Sequence, residues 1–280
     1  VAGAQHGRRQ ARVWPVVTLT IAIGLLLGMT VAWAASLGGA DPPGTQASAS
    51  GTVQPSPSRI PQVSAPSVPS TQPVELPSSA FDTERFSLDD PDSPWVVVNK
   101  ARPLEPADHV PDDLVQVSGV TFVDGGTLRR EAADALSAME KAATAKGLGF
   151  QVSSAYRGFA RQSDIYHTNV NKSGEAKADR FSARPGYSEH QTGWSADLYD
   201  SSACRLKACF GDSAAGQWVA AHGAEYGFII RYPEGKSSVT GYEYEPWHVR
   251  YVGEGLAMQM RERNAVTLEE FFGLPAAPTY

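Results

Sequence analysis

Between Val13 and Leu37 the chain carries no charged side chain, and between residues 41 and 80 it carries nine of its 20 prolines and no aromatic ring. These two stretches limit which part of the chain can build a packed core. The first is long enough for a bilayer core, which takes roughly 20 apolar residues. Arg8, Arg9 and Arg12 precede it, and the next charge is Asp41. The positive-inside rule therefore predicts residues 1–12 as a cytoplasmic basic tail, 13–37 as a single-pass transmembrane anchor, and the rest as extracytoplasmic. Ala32-Trp33-Ala34 has the small-x-small form of a cleavage site, so a signal peptide and a secreted product are the alternative. The second stretch cannot bury enough apolar surface to offset its ordering entropy. Residues 38–80 are accordingly predicted as a disordered Pro/Ser-rich linker, reaching at most ~100 Å at the polyproline II rise.

A single domain is expected over 81–274, with 275–280 as a tail. A formal net charge of −6 argues against a nucleic-acid partner, which needs clustered Lys and Arg. The sequence leaves the oligomeric state open. Only Cys204 and Cys209 are present, which excludes a cysteine-rich zinc module. Outside the cytoplasm such a pair is expected to form a disulfide.

Within the domain, WVVVNK reads as a short β-rich run. Thr127–Gly147 reads as a helix with Thr127 at its N-cap and Ala132, Leu136, Met139 and Ala143 on one apolar stripe. FQVSSAY, TGWSADLYD, FIIRY and VTGYEYEPWHVRYV read as strands. FARQSDIYHTNV, DSAAGQWVAAHGAEYG and GEGLAMQMRERN read as helices. The absence of a regular strand–helix alternation favours an α+β fold, mainly an antiparallel sheet flanked by helices.

One segment stands apart: ARPGYSEHQTGWSADLYD, residues 183–200. Gly193 can break the chain direction. The alternation that follows turns Trp194, Ala196 and Leu198 to the core and Ser195, Asp197 and Tyr199 to the other side. His190 sits on the loop leading in. Further on, YEYEPWHVRYV supplies Glu245 and His248. They are three apart, so an ideal strand would turn them opposite ways. Pro246 cannot continue a central ladder, however, and the distortion it forces could bring both into one cleft. Two histidines, one aspartate and a spare glutamate are the inventory of a catalytic zinc hydrolase: three protein ligands, a water, and a carboxylate for its proton.

SSAYRGFARQ, PGYSEHQTGWSADL, YGFIIRYPEG and TGYEYEPWHVRYVG together resemble the zinc D-alanyl-D-alanine carboxypeptidases of the VanY type, and WVVVNKARPL with PDDL fits that family's first segment. The resemblance covers about residues 95–255. It implies one zinc ion held by His190, Asp197 and His248 on the sheet. It also implies Glu245 as catalytic base, Arg157 in the cleft beside the substrate carboxylate or the oxyanion, and Gln162 and Ser188 lining the substrate site. Ser195 departs slightly from the family pattern, where a smaller residue is expected. The implied reaction removes the terminal D-alanine of a peptidoglycan stem peptide at the bacterial membrane. The rivals are an L,D-carboxypeptidase, a D,D-dipeptidase or an endopeptidase of the same superfamily, a non-catalytic zinc-stabilised wall-binding module, and an iron(II) oxygenase, which also uses two His and a carboxylate. Glu189, between two matched residues, is assigned no role.

Overall fold

The structure, a computed structural model, describes residues 81–280. The basic tail, the anchor or signal peptide and the linker all lie outside the described residues. Among the described residues no helix is long and apolar enough to cross a membrane.

The first elements are a short antiparallel pair, β1 (Leu114–Gln116) and β2 (Thr127–Arg129), and the helix α1 (Arg130–Thr144). Thr127 is therefore a strand residue and not a helix cap. Its carbonyl accepts the Tyr156 amide at 3.0 Å, so tertiary pairing overrides the local cap signal. WVVVNK also departs from its β-rich reading. It runs extended with one bridge, Asn99 to Arg102, and no strand beside it. Its alternation is nonetheless used: Val96 and Val98 enter the main core, while Trp95 and Val97 enter a second cluster with Val252, Leu256 and Leu268.

VTGYEYEPWHVRYV becomes a strand only from Glu245, Val239 and Thr240 being helical, and DSAAGQWVAAHGAEYG breaks into a helix and a 3₁₀ turn. The remaining strands and helices follow, with short helices the sequence did not suggest. They are β3 (Gln151–Ser154), α2 (Phe159–Ser173), the short α3 (Glu175–Ala178), a 3₁₀ turn Glu189–Thr192, β4 (Ser195–Tyr199) and the short α4 (Cys209–Asp212). After these come α5 (Ala214–His222), a 3₁₀ turn Gly223–Tyr226, β5 (Phe228–Tyr232), the short α6 (Ser237–Thr240), β6 (Glu245–Tyr251), α7 (Glu254–Glu262) and α8 (Leu268–Phe272). Ser213 caps α5 by accepting the Gly216 amide. Cys204 and Cys209 are joined as a disulfide with Cα atoms 5.5 Å apart.

Strands β3, β4, β6 and β5 form one antiparallel sheet in that spatial order, so β6 is central although it comes last in sequence. One sheet face, with Val152, Ala196, Leu198 and Val249, packs on the predicted stripe of α1, where Ala132, Leu136, Met139 and Ala143 are all fully buried. Each large side chain buried there contributes roughly 1.5–3 kcal/mol. The other face carries the polar groups. All five β4 residues are buried: Asp197 lines the cleft, Ser195 Oγ lies 3.4 Å from Glu189 Oε2, and the Tyr199 hydroxyl donates to Gln151 Oε1 at 2.7 Å.

Pro246 produces the expected distortion. Ile230 pairs with Val249 and Tyr232 with Glu245, so a two-residue step along β5 matches a four-residue step along β6. The register between β4 and β6 stays regular, with Asp197 opposite His248.

The final residues are packed against the domain. The Ala277 amide donates to Val239 O at 2.8 Å, and the Tyr280 hydroxyl accepts the Arg184 amide at 2.8 Å.

Candidate metal centre

Each polar side chain of the cleft reaches it for a local reason. Gly193 ends the 3₁₀ turn of His190 in a left-handed conformation, φ 74°, and a Cβ there would stand 2.8 Å from Arg129 Cγ. Only glycine meets both demands, and its turn delivers His190 to the mouth of β4. Asp197 and His248 are direct cross-strand partners, so their side chains share a face. The irregular stretch at Pro246 brings Glu245 to the same cleft, which is lined also by Arg157, Gln162 and Ser188.

One nitrogen or oxygen from each of His190, Asp197 and His248 falls within a common span of 4.8 Å. Asp197 is the hub. His190 Nε2 lies 3.2 Å from its Oδ2 and His248 Nδ1 3.0 Å from its Oδ1. Each imidazole faces Asp197 with one nitrogen and another protein oxygen with the other. His190 Nδ1 bonds Ala155 O at 2.7 Å, and His248 Nε2 stands 3.5 Å from Glu189 Oε2, too far for a full hydrogen bond. Metal-ligating histidines are held in this way, through a carbonyl or carboxylate on the far nitrogen. Two imidazoles and one carboxylate converging from buried positions also match the donor preference of zinc. The residues present therefore fit the ion.

The protonation states follow from burial and neighbours. Burial, then the Arg157 charge, pushes His190 down to about 4, which leaves it neutral and able to donate a lone pair. Burial opposes protonation of His248, but its bond to Asp197 and the neighbouring Glu189 carboxylate outweigh this and lift it to about 9. Asp197 is buried too, yet the two histidines hold it well below the usual carboxylate range. Burial, seconded by the Asp197 charge, pushes Glu245 up to about 8 against the pull of His248 and Arg157. Glu245 makes no side-chain hydrogen bond among the described residues.

Arg157 is the cation of the cleft. Its Nε is buried without a partner, and burial lowers its pKa against the pull of Asp197 and Glu245. Gln162 donates to Ala183 O at 2.6 Å and keeps a buried, unpartnered Oε1. Tyr242 lines the cleft and Tyr244 does not, while Tyr232 and Trp247 line it without having been singled out in the sequence. The cavity measures about 340 Å³.

Sequence reasoning missed Glu189. It is fully buried, and its Oε1 accepts Arg231 Nε at 2.7 Å and Arg250 Nη1 at 3.0 Å. Arg231 also pairs with both oxygens of Glu269, at 2.8 and 2.9 Å. A signal was present: single arginines interrupt the apolar runs FIIRY and WHVRYV, and a core strand tolerates such a charge only opposite a buried acid.

Comparison with known proteins supports the same chemistry. Residues 125–254 match the VanY family, described as D-alanyl-D-alanine carboxypeptidase. The Bacillus subtilis (strain 168) protein YodJ is 42% identical over 192 residues, 66% of this chain and 69% of that protein. Among solved structures, the LdcB LD-carboxypeptidase superposes with a TM-score of 0.60 at 42% identity, covering 65% of this chain and 87% of that one. The E175A mutant of the vancomycin-resistance D,D-pentapeptidase VanY, solved with Zn(II), superposes with a TM-score of 0.53 at 28% identity, covering 63% of this chain and 97% of that one.

Proposed function

The chain belongs to the VanY family of D-alanyl-D-alanine carboxypeptidases, and from that premise we propose that it removes the terminal D-alanine from peptidoglycan stem peptides, using one zinc ion. The observation that carries this reading is the convergence of His190, Asp197 and His248 within 4.8 Å beside a buried carboxylate that none of them binds. His190, Asp197 and His248 would hold the ion. When bound, zinc supplies Lewis-acid polarisation and lowers the pKa of a bound water towards ~7.

The remaining work falls to the chain's own side chains. Glu245 takes a proton from the attacking water and passes it to the departing amine. A carboxyl lifted towards neutrality can do both, because general acid–base catalysis works best near the operating pH. Arg157, half-buried with its Nε unpartnered, offers its guanidinium to the substrate carboxylate or to the oxygen that gains charge. Such a donor acts most strongly where water is excluded. Gln162 and Ser188 line the wall against which the terminal residue is oriented. Glu189 stands 3.5 Å behind the far nitrogen of His248, a negative charge at its back.

The uncharged run and the proline-rich stretch support an extracytoplasmic domain tethered to the bacterial cell membrane, where this substrate lies, with release by signal cleavage as the alternative. A second reading has its own observation. The 42%-identical solved neighbour is an LD-carboxypeptidase, so the bond cut could be the L,D bond of a tetrapeptide. Purified protein is to be assayed for alanine release from pentapeptide and tetrapeptide stems, with zinc content measured on the same sample. Release from the pentapeptide with about one zinc per chain is expected. Release from the tetrapeptide alone would favour the second reading, and no release from either would end both.

A further inference from the structure

The loop closed by Cys204 and Cys209 carries a side chain that folding does not explain. Leu206 has a φ of 54°, in the left-handed region that leucine avoids, and it is 45% exposed. A leucine held there gains little from burial and bears a backbone cost, and an outlier of this kind points to function. The loop itself is well anchored. Cys204 packs against the main core, Phe210 beyond Cys209 is fully buried, and Gly211 lies so close to Pro246 that a Cβ would meet its side chain at 2.9 Å. Pro246 adjoins Glu245. Leu206 is thus fixed relative to the cleft that it helps line.

Three cleft residues are exposed: Leu206, Phe181 and Glu243. They mark the mouth. Glu243 is paired with Arg180 at 2.6 Å, so the groups free to grip are apolar. A carboxypeptidase takes the end of its substrate into the closed part of the cleft, and the preceding residues must leave through the mouth. Accepting the function proposed above, we propose that the disulfide-closed loop is a substrate-gripping element. In it Leu206, together with Phe181, holds the part of the peptide N-terminal to the scissile bond.

Leu206→Gly tests this, because glycine suits the backbone angle and removes only the side chain. The variant and the parent chain are compared on a pentapeptide stem and on N-acetyl-D-alanyl-D-alanine, which is too short to occupy the mouth. The expected result is a KM for the pentapeptide raised about tenfold, the scale of one apolar side chain covered, with kcat unchanged and no effect on the short substrate. The Cys204→Ser/Cys209→Ser variant is expected to raise the same KM, and an unchanged value there would overturn the role given to the tether. If the parent cleaves the pentapeptide and Leu206→Gly matches it, the grip is refuted while the activity stands. If the parent cleaves neither substrate, both fall.

Discussion

On one side of His248 lie Glu189, Arg231, Arg250 and Glu269; on the other lie Asp197, His190, Glu245 and Arg157. Both groups are made of ionisable side chains, and all but the half-buried Arg157 are buried. In the first, each charge has an opposite partner at 2.7–3.0 Å, and Arg250 Nη2 is further bound by the carbonyls of Pro94 and Val96. In the second, Arg157 Nε is unpartnered, and Glu245 makes no side-chain hydrogen bond among the described residues. Native proteins seldom bury a polar atom without a partner. The first cluster is thus complete as it stands, whereas the second keeps buried polar atoms open to a ligand.

The sharpest way to break this comparison is Glu245→Gln. If the cleft is the reactive cluster, turnover should fall by roughly 10²–10⁴-fold, the usual share of a general base, while zinc content stays at the parental level. Retained turnover would refute the base assignment. Next comes Arg231→Met, which leaves Glu189 and Glu269 buried with too little positive charge. Urea unfolding should show a loss of about 3–5 kcal/mol. A loss within experimental error would mean that the network is not the completed cluster described.

The smallest effect expected is on the pH dependence of the chelated, metal-free protein. Glu245 and His248 are both raised in the folded state, to about 8 and about 9. Groups raised in this way stabilise the fold at lower pH and lose that contribution as pH rises through the folded value. Glu189 and Glu269 are lowered, so their contribution is present above the usual carboxylate range and lost in acid. His190, lowered to about 4, adds to the acid limb below its ordinary value of 6.5. Melting temperature should therefore decline between pH 6.5 and 9. Glu245→Gln should flatten that decline and Arg231→Met should not. A rising melting temperature over that range would reverse the assignment.

Much of the site could be read in the sequence because its parts are short, local signatures. His190, Gly193 and Asp197 stand within eight residues, and Glu245 with His248 flanks a proline. The backing cluster could not be read the same way. Arg231 and Arg250 lie 42 and 61 positions from the glutamate they share, and nothing local to Glu189 names its partners. The sheet strands were legible from alternation, whereas Thr127 and WVVVNK were not. Whether a β-prone run becomes a strand depends on having a neighbour to pair with. Here Pro94 O and Val96 O are taken by the Arg250 guanidinium and not by a strand.

The unequal step between β5 and β6 separates two duties along one strand. His248 lies within the four-residue step from Glu245 to Val249 that is irregular towards β5, yet on its other side it stays in register with β4, opposite Asp197. The length of this stretch therefore sets how far Glu245 stands from His248 in the cleft, while the pairing with β4 sets how His248 meets Asp197.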